Sequence, residues 1–268
     1  MPADIRRSRI LERIQRDGGA SVAELARDYG VSSITVHRDL ERLAADGLIE
    51  RVRGGARPVE GPSTRIEVST DWTKRLRQAL REKEAIAERA AEFVEDGSTV
   101  FLDASTTSLV LARRLERRPP RALTLVTNSP AIALELHVQQ IHIVAVPGEV
   151  DQTLRMIGGR WAAEFIAGLN IETAFVSAAG VTLEQGLTTT RRGLADALRA
   201  AMASSQRTVA SIDSTKFGLS ALLTLANLAE LEALIVDDGL PPETRRAYEA
   251  AGVNLLVATS ALTASATD

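Results

Sequence analysis

The chain contains no cysteine, which excludes a disulfide framework, thiol catalysis and thiolate metal sites. Histidine is nearly as scarce: His37, His137 and His142 are scattered, without the spacing of a metal cluster. No apolar run approaches the roughly 18 residues that a membrane-spanning helix requires. The arginine-rich opening MPADIRRSRILERIQRDGG lacks the apolar stretch of a signal peptide, so a cytoplasmic protein is expected, with no membrane partner. Lysine is rare too. Of 32 basic side chains only Lys74, Lys83 and Lys216 are lysines, and the formal net charge is −3. A chain of that balance does not coat nucleic acid indiscriminately, so any such contact must be local. What remains is ordinary for a globular protein: 268 residues, 45% hydrophobic and 25% charged, enough for a small module joined to a larger one.

The first 57 residues read as that small module. In SVAELARDYG, Ser21 and Glu24 have the spacing of a capping box, Val22, Leu25 and Ala26 form an apolar stripe, and Gly30 supplies a stop. A second helix starts from a cap at Ser32, places Val36, Leu40 and Leu43 on one face and ends at Gly47. Ile10, Leu11 and Ile14 mark an earlier helix, and three short helices with a tight turn between the last two make a helix-turn-helix. LIERV and ARPV flank Gly54 and Gly55 as a β-hairpin, a wing carrying Arg51, Arg53 and Arg57.

On the second helix Thr35, Arg38 and Arg42 cluster away from the apolar face, with His37 beside them and Ser32 and Ser33 at its start. Hydroxyls suit phosphates, and arginine pairs bidentately with guanine in the major groove. Arg51 and Arg53 of the wing suit phosphates or a neighbouring minor groove. The stretch from Ser21 to Ala56 resembles the winged helix-turn-helix of the DeoR family of bacterial sugar-responsive transcription regulators. Thr35-Val36-His37-Arg38-Asp39-Leu40 matches its T-[IV]-R-R-D-L pattern, and Arg53-Gly54-Gly55-Ala56 its H-G-G-A. His37 and Arg53 depart from that pattern, which bears on the operator sequence read.

Residues 58–71, rich in Pro, Gly, Ser and Thr, are expected to be a linker, and one long helix is expected from about Asp71 to Val94. The remainder to residue 260 alternates helical segments with short apolar runs: TVFLD, LTLVTN, IHIVAV, TAFVSAAG, TVASID, ALIVD and VNLLVA. Such runs are those of strands buried on both faces, and they predict a doubly wound, mainly parallel α/β domain. Residues 261–268 read as a fraying tail.

In such sheets ligands bind beyond the carboxyl ends of the strands. There stand Asp103 with Ser105, Thr106 and Thr107, a strand-to-helix junction suited to an anion. Lys216, just past Asp213, is placed to reach a phosphate or a sugar oxygen, and Asp103 and Asn128 suit sugar hydroxyls. The family resemblance extends here: DGSTVFLDASTT is similar to its D-G-x-T-[IV]-x-L-D-x-G-T-T, VTNS to its T-N-S, DSTKFG to its D-S-S-K-[FV] and REKEAIA to its E-K-x-x-I-A. It implies a fold similar to ribose-5-phosphate isomerases and a sensor of phosphorylated sugars. Asp103, Ser105, Thr106, Thr107, Asn128, Gly148, Gly180 and Lys216 would line its effector pocket. Ser105 and Pro147 replace glycines of the family pattern, and each added Cβ narrows its loop.

The expectation is a non-enzymatic transcription regulator, a repressor of sugar-metabolism genes. It binds a double-stranded operator as a homodimer or homotetramer and responds to a phosphorylated sugar, without cofactor or metal. The alternative is a sugar-phosphate isomerase-like enzyme with a DNA-binding appendage.

Overall fold

The computed structural model describes residues 3–17, 19–45, 49–52, 54–57 and 72–259. Gly47, Arg53, the expected linker 58–71 and the expected tail 261–268 lie outside the described residues. The chain divides into two compact units, Met1–Ser63 and Thr64–Asp268.

In the first unit α1 (Ala3–Asp17) is followed by β1 (Ala20–Ser21), α2 (Val22–Tyr29), α3 (Ser33–Ala45), β2 (Glu50–Val52) and β3 (Gly55–Arg57). The capping box closes as its spacing predicts: the Glu24 amide donates to Ser21 Oγ at 3.2 Å and the Ser21 amide to Glu24 Oε2 at 2.8 Å. Gly30 ends α2 with φ 63°, a conformation that an L side chain resists. Ser32 caps α3, accepting the Thr35 amide at 3.2 Å. The hairpin is one strand larger than expected. β1 pairs with β3, giving the order β1-β3-β2, and a Cβ on Gly55 would collide with the Ala20 carbonyl. Ile10, Ile14, Val22, Leu25, Val36, Leu40, Leu43, Ile49 and Ala56 form the core of this unit.

The described part of the second unit begins with α4 (Trp72–Arg77) and α5 (Leu80–Ala91). This corrects the expectation of one unbroken helix: Ala79 sits at φ 51°, ψ 43° and breaks it. The break is held from within. The buried Lys83 ammonium donates to the carbonyls of Arg75, at 2.8 Å, and Gln78, at the carboxyl end of α4. Trp72 is buried at the other end of α4, with the Arg155 guanidinium 4.8 Å over its ring.

There follow β4 (Thr99–Leu102), α6 (Thr106–Arg117), β5 (Leu123–Thr127), α7 (Pro130–Glu135), β6 (Ile141–Ala145), β7 (Glu149–Asp151), β8 (Met156–Gly158), α8 (Arg160–Ala167), β9 (Ile171–Val176), β10 (Gly180–Thr182), β11 (Gly186–Thr189), α9 (Arg192–Ala203), β12 (Ser205–Ser211), β13 (Leu223–Ala226), β14 (Ala233–Asp237), α10 (Pro242–Ala250) and β15 (Leu255–Ala258). All seven apolar runs become strands of one parallel sheet, ordered β15-β14-β12-β9-β4-β5-β6. α5, α6 and α7 cover one face through Ile86, Leu109 and Ile132; α8, α9 and α10 cover the other through Ile166, Leu198 and Tyr248. The fold is therefore doubly wound. Two small antiparallel sheets, β7-β8 and β10-β11-β13, were not read from the sequence. No helix among the described residues is long and apolar enough to cross a membrane.

Candidate functional site

Each unit presents a candidate site. In the first, α3 turns its apolar side inward and leaves Ser32, Ser33, Ile34, His37, Arg38, Glu41 and Arg42 exposed, with Thr35 half-buried. Asp39 is the exception on that helix: it is buried and takes the Arg6 guanidinium at 2.6 Å, with Arg7 at 3.7 Å. The pairing fastens α3 to α1 and so fixes which face of α3 is outward. Arg51 reaches back from the wing, donating to Glu41 Oε1 at 3.0 Å and lying 2.9 Å from His37 Nδ1. The wing arginine and the residue that departs from the family pattern thus hold each other. Ser32 Oγ shares a hydrogen bond with Thr35 Oγ1 at 2.9 Å. Sequence reasoning missed Ile34, whose 65% exposure, like the burial of Asp39, runs against what polarity predicts.

The second site lies where the sheet changes direction. From β4 the chain proceeds through β5 and β6 on one side, then returns to β9 and proceeds outward on the other, so the loops after β4 and β9 diverge. Asp103 bridges that divergence. Its Oδ1 accepts the Ser105 amide at 3.0 Å and Ser108 Oγ at 2.6 Å; its Oδ2 accepts the Ser177 amide and Ser177 Oγ, both at 2.8 Å. Four donors saturate this carboxylate, so it shapes the cleft more than it offers an acceptor.

Above it opens a cavity of about 860 Å³, the solvent at its mouth included. Asp103, Ser105, Thr106, Thr107 and Lys216 all line it. Ser105 caps α6, accepting the Ser108 amide at 3.0 Å, which leaves the amides of Thr106 and Thr107 at the positive end of a twelve-residue helix. Asn128, Gly148 and Gly180 are not brought to this cavity. Asn128 is buried, and its amide donates to the Ile157 carbonyl at 3.0 Å, fastening β8 to the end of β5. Gly148 has φ 151°, and a Cβ on it would lie 2.6 Å from the Gly158 carbonyl; it is glycine because the hairpin strands close on it. Gly180 opens β10, and its carbonyl accepts Thr188 Oγ1 at 3.1 Å.

The structure adds residues that motif reading passed over. Arg75 from α4 and Lys83 from α5 reach the cavity, together with Ser177, Ser211 and Asp213. Nε and Nη2 of Arg75 and Oγ of Ser211 are buried there without a hydrogen-bond partner. Burial pushes the Arg75 guanidinium below its ordinary pKa, with Asp103 opposing, and pushes the Lys83 ammonium down likewise, with Asp213 opposing. Three cations therefore meet two carboxylates, one of them saturated by neutral donors. Leu154, Met156 and Leu194 form an apolar part of the wall. A signal for Lys83 was available in the rarity of lysine. None pointed to Arg75, one arginine among many, because its place depends on the break at Ala79.

Comparison with known proteins matches both units. A family model described as the DeoR-like helix-turn-helix domain covers residues 6–61, and one described as the DeoR C terminal sensor domain covers residues 78–238. The HTH-type transcriptional regulator GlpR of Haloferax volcanii is 32% identical over 96% of this chain and 98% of its own. The HTH-type transcriptional repressor CsqR of Escherichia coli is 33% identical over 88% of each chain. Among solved structures, a ribose 5-phosphate isomerase A from Methanocaldococcus jannaschii overlaps 50% of this chain and 53% of its own, at 17% identity and a TM-score of 0.37.

Proposed function

This chain belongs to the DeoR family of transcription regulators, and from that premise we propose that it is a repressor whose hold on its operator is released by a phosphorylated sugar bound in the second unit. It is a DNA-binding regulator and not an enzyme: its relatives are named as regulators, and the matched second unit is described as a sensor. CsqR, named a repressor, supports the sign of regulation.

The observation that carries the effector reading is Arg75, whose Nε and Nη2 are buried without a hydrogen-bond partner beside a cavity that also holds Lys216 and the amino end of α6. Buried guanidinium donors left without a hydrogen bond are costly in the empty protein, and an anion relieves that cost. A phosphate takes several donors at once, as a guanidinium, an ammonium and two helix amides supply. Ser177 and Ser211 suit the hydroxyls of an attached sugar, and the apolar wall suits its carbon face. On the operator, Arg38 and Arg42 read base edges, while Ser32, Ser33 and Arg51 hold phosphates. Symmetric half-sites are expected, read by at least a dimer.

The test is a thermal-shift series on the full chain with aldose and ketose phosphates, their unphosphorylated parents and inorganic phosphate, followed by operator release. One phosphorylated sugar should raise the melting temperature and release DNA, while its parent sugar does neither. Lys216→Ala should bind the operator normally and lose the response. Equal shifts from parent and phosphorylated sugars, or none from either, overturn the reading.

A further inference from the structure

In the first unit the large hydrophobic side chains left exposed among the described residues are Ile34, at 65%, and Val52, at 41%. Both sit on the elements that meet DNA, α3 and the wing, while Ile10, Ile14, Val22, Leu25, Val36, Leu40, Leu43 and Ile49 close into the core. Ile34 does nothing for that core. At about 100° per residue it points nearly opposite to Val36 and Leu40, which are fully buried, and stands one turn before Arg38 on the same outward side.

Its position along the helix matters as much as its direction. Ile34 is the second residue of α3, and the amino-terminal turn of a recognition helix is the part that approaches base edges. Its neighbours there are hydroxyls, Ser32, Ser33 and Thr35, of which Ser32 and Thr35 are bonded to each other. These suit phosphates and caps. Among the exposed groups of that turn Ile34 alone offers no hydrogen bond, so it cannot read the donor and acceptor pattern of a base pair. The major groove holds one apolar group, the 5-methyl of thymine. A β-branched residue is also a weak helix former, so its presence at an exposed position brings the free protein no benefit.

We propose that Ile34 packs against the 5-methyl group of a thymine in the major groove and sets a thymine preference at one position of each operator half-site, one turn along α3 from the position that Arg38 reads.

The experiment uses the full chain. An operator is first selected from a pool of random duplexes, and each dT in it is then replaced singly by dU, which removes the methyl and leaves every hydrogen-bonding group. Wild-type protein should lose about fourfold in affinity at one position per half-site, the worth of one buried methyl-sized group. Ile34→Ala should bind the dT and dU operators equally, and Ile34→Val should keep part of the discrimination. Comparison is made within each variant, so a general loss of affinity cancels. Ile34→Ala should melt no lower than wild type. Indifference of the wild type to every replacement, or undiminished discrimination in Ile34→Ala, overturns the proposal.

Discussion

Arg75 shows how a single side chain can trade stability for sensing. Two of its nitrogens are buried without a hydrogen-bond partner, and burial has pushed its pKa down against the pull of Asp103, so the empty protein carries a cation whose donors are incompletely satisfied. Replacing it by methionine keeps the packing volume and removes the charge. Arg75→Met should raise the melting temperature by about 2 to 4 °C, as about 1 kcal/mol does in a domain of this size, while effector affinity falls tenfold or more. Scanning calorimetry and effector titration measure the two effects; a lower melting temperature with unchanged effector affinity would make Arg75 a structural residue. Ala79 carries a different local cost, an L residue at φ 51°. A glycine there avoids the clash of Cβ with the following carbonyl, so Ala79→Gly should stabilise by about 1 kcal/mol in urea unfolding. Destabilisation would mean that the helix break depends on the Ala79 methyl rather than on Lys83.

At the scale of elements, α3 and the wing act as one surface because Arg51 ties them through Glu41 and His37. Arg38 and Arg51 should therefore fail differently. Arg38→Ala should cost operator binding about 1 to 3 kcal/mol and relax the choice of base at one position. Arg51→Ala leaves the Glu41 carboxylate unneutralised on the face proposed to meet phosphates, so it should weaken operator and random duplex alike. Both variants should keep their folding stability within about 0.5 kcal/mol, since exposed pairs contribute little. Anisotropy titrations on selected and random duplexes separate the two patterns, and identical losses on both duplexes would contradict the division. The elements of both units were legible where caps were explicit, as at Ser21 with Glu24 and at Gly30, and where apolar runs were unbroken, as in the seven strands of the parallel sheet. Legibility failed where tertiary contact overrides local sequence. Nothing in RLRQALREKE marks Ala79 as a break, because the ammonium that stabilises it comes from Lys83, a turn further on. β1, β7 and β8 are two or three residues long, too short to show alternation. Asn128 and Gly148 lie near strand ends, as a ligand site requires, yet serve the β7-β8 hairpin; position along a strand does not reveal which side of its end faces the cleft.

For the whole molecule, the two units own separate cores: Ile10, Leu25 and Leu40 belong to one, and Phe101, Phe175 and Leu198 to the other. Communication between a duplex on the first and a sugar phosphate in the second is therefore a coupling free energy between distinct sites, and such coupling is reciprocal. If the effector weakens operator binding by some factor, saturating operator must weaken effector binding by the same factor, on the order of 5- to 150-fold for typical couplings. Titrating the effector calorimetrically with and without operator, and the operator with and without effector, yields both factors independently. They should agree for the wild type and both collapse towards one in Lys216→Ala, because that variant loses the ligand but keeps α3 and the wing. Arg38→Ala should do the reverse to the two affinities, weakening the duplex while leaving the sugar phosphate's own affinity at its wild-type value. If the operator is released at effector concentrations that leave the cavity of the second unit empty, the signal enters elsewhere, and the pocket beside α6 is not the sensor.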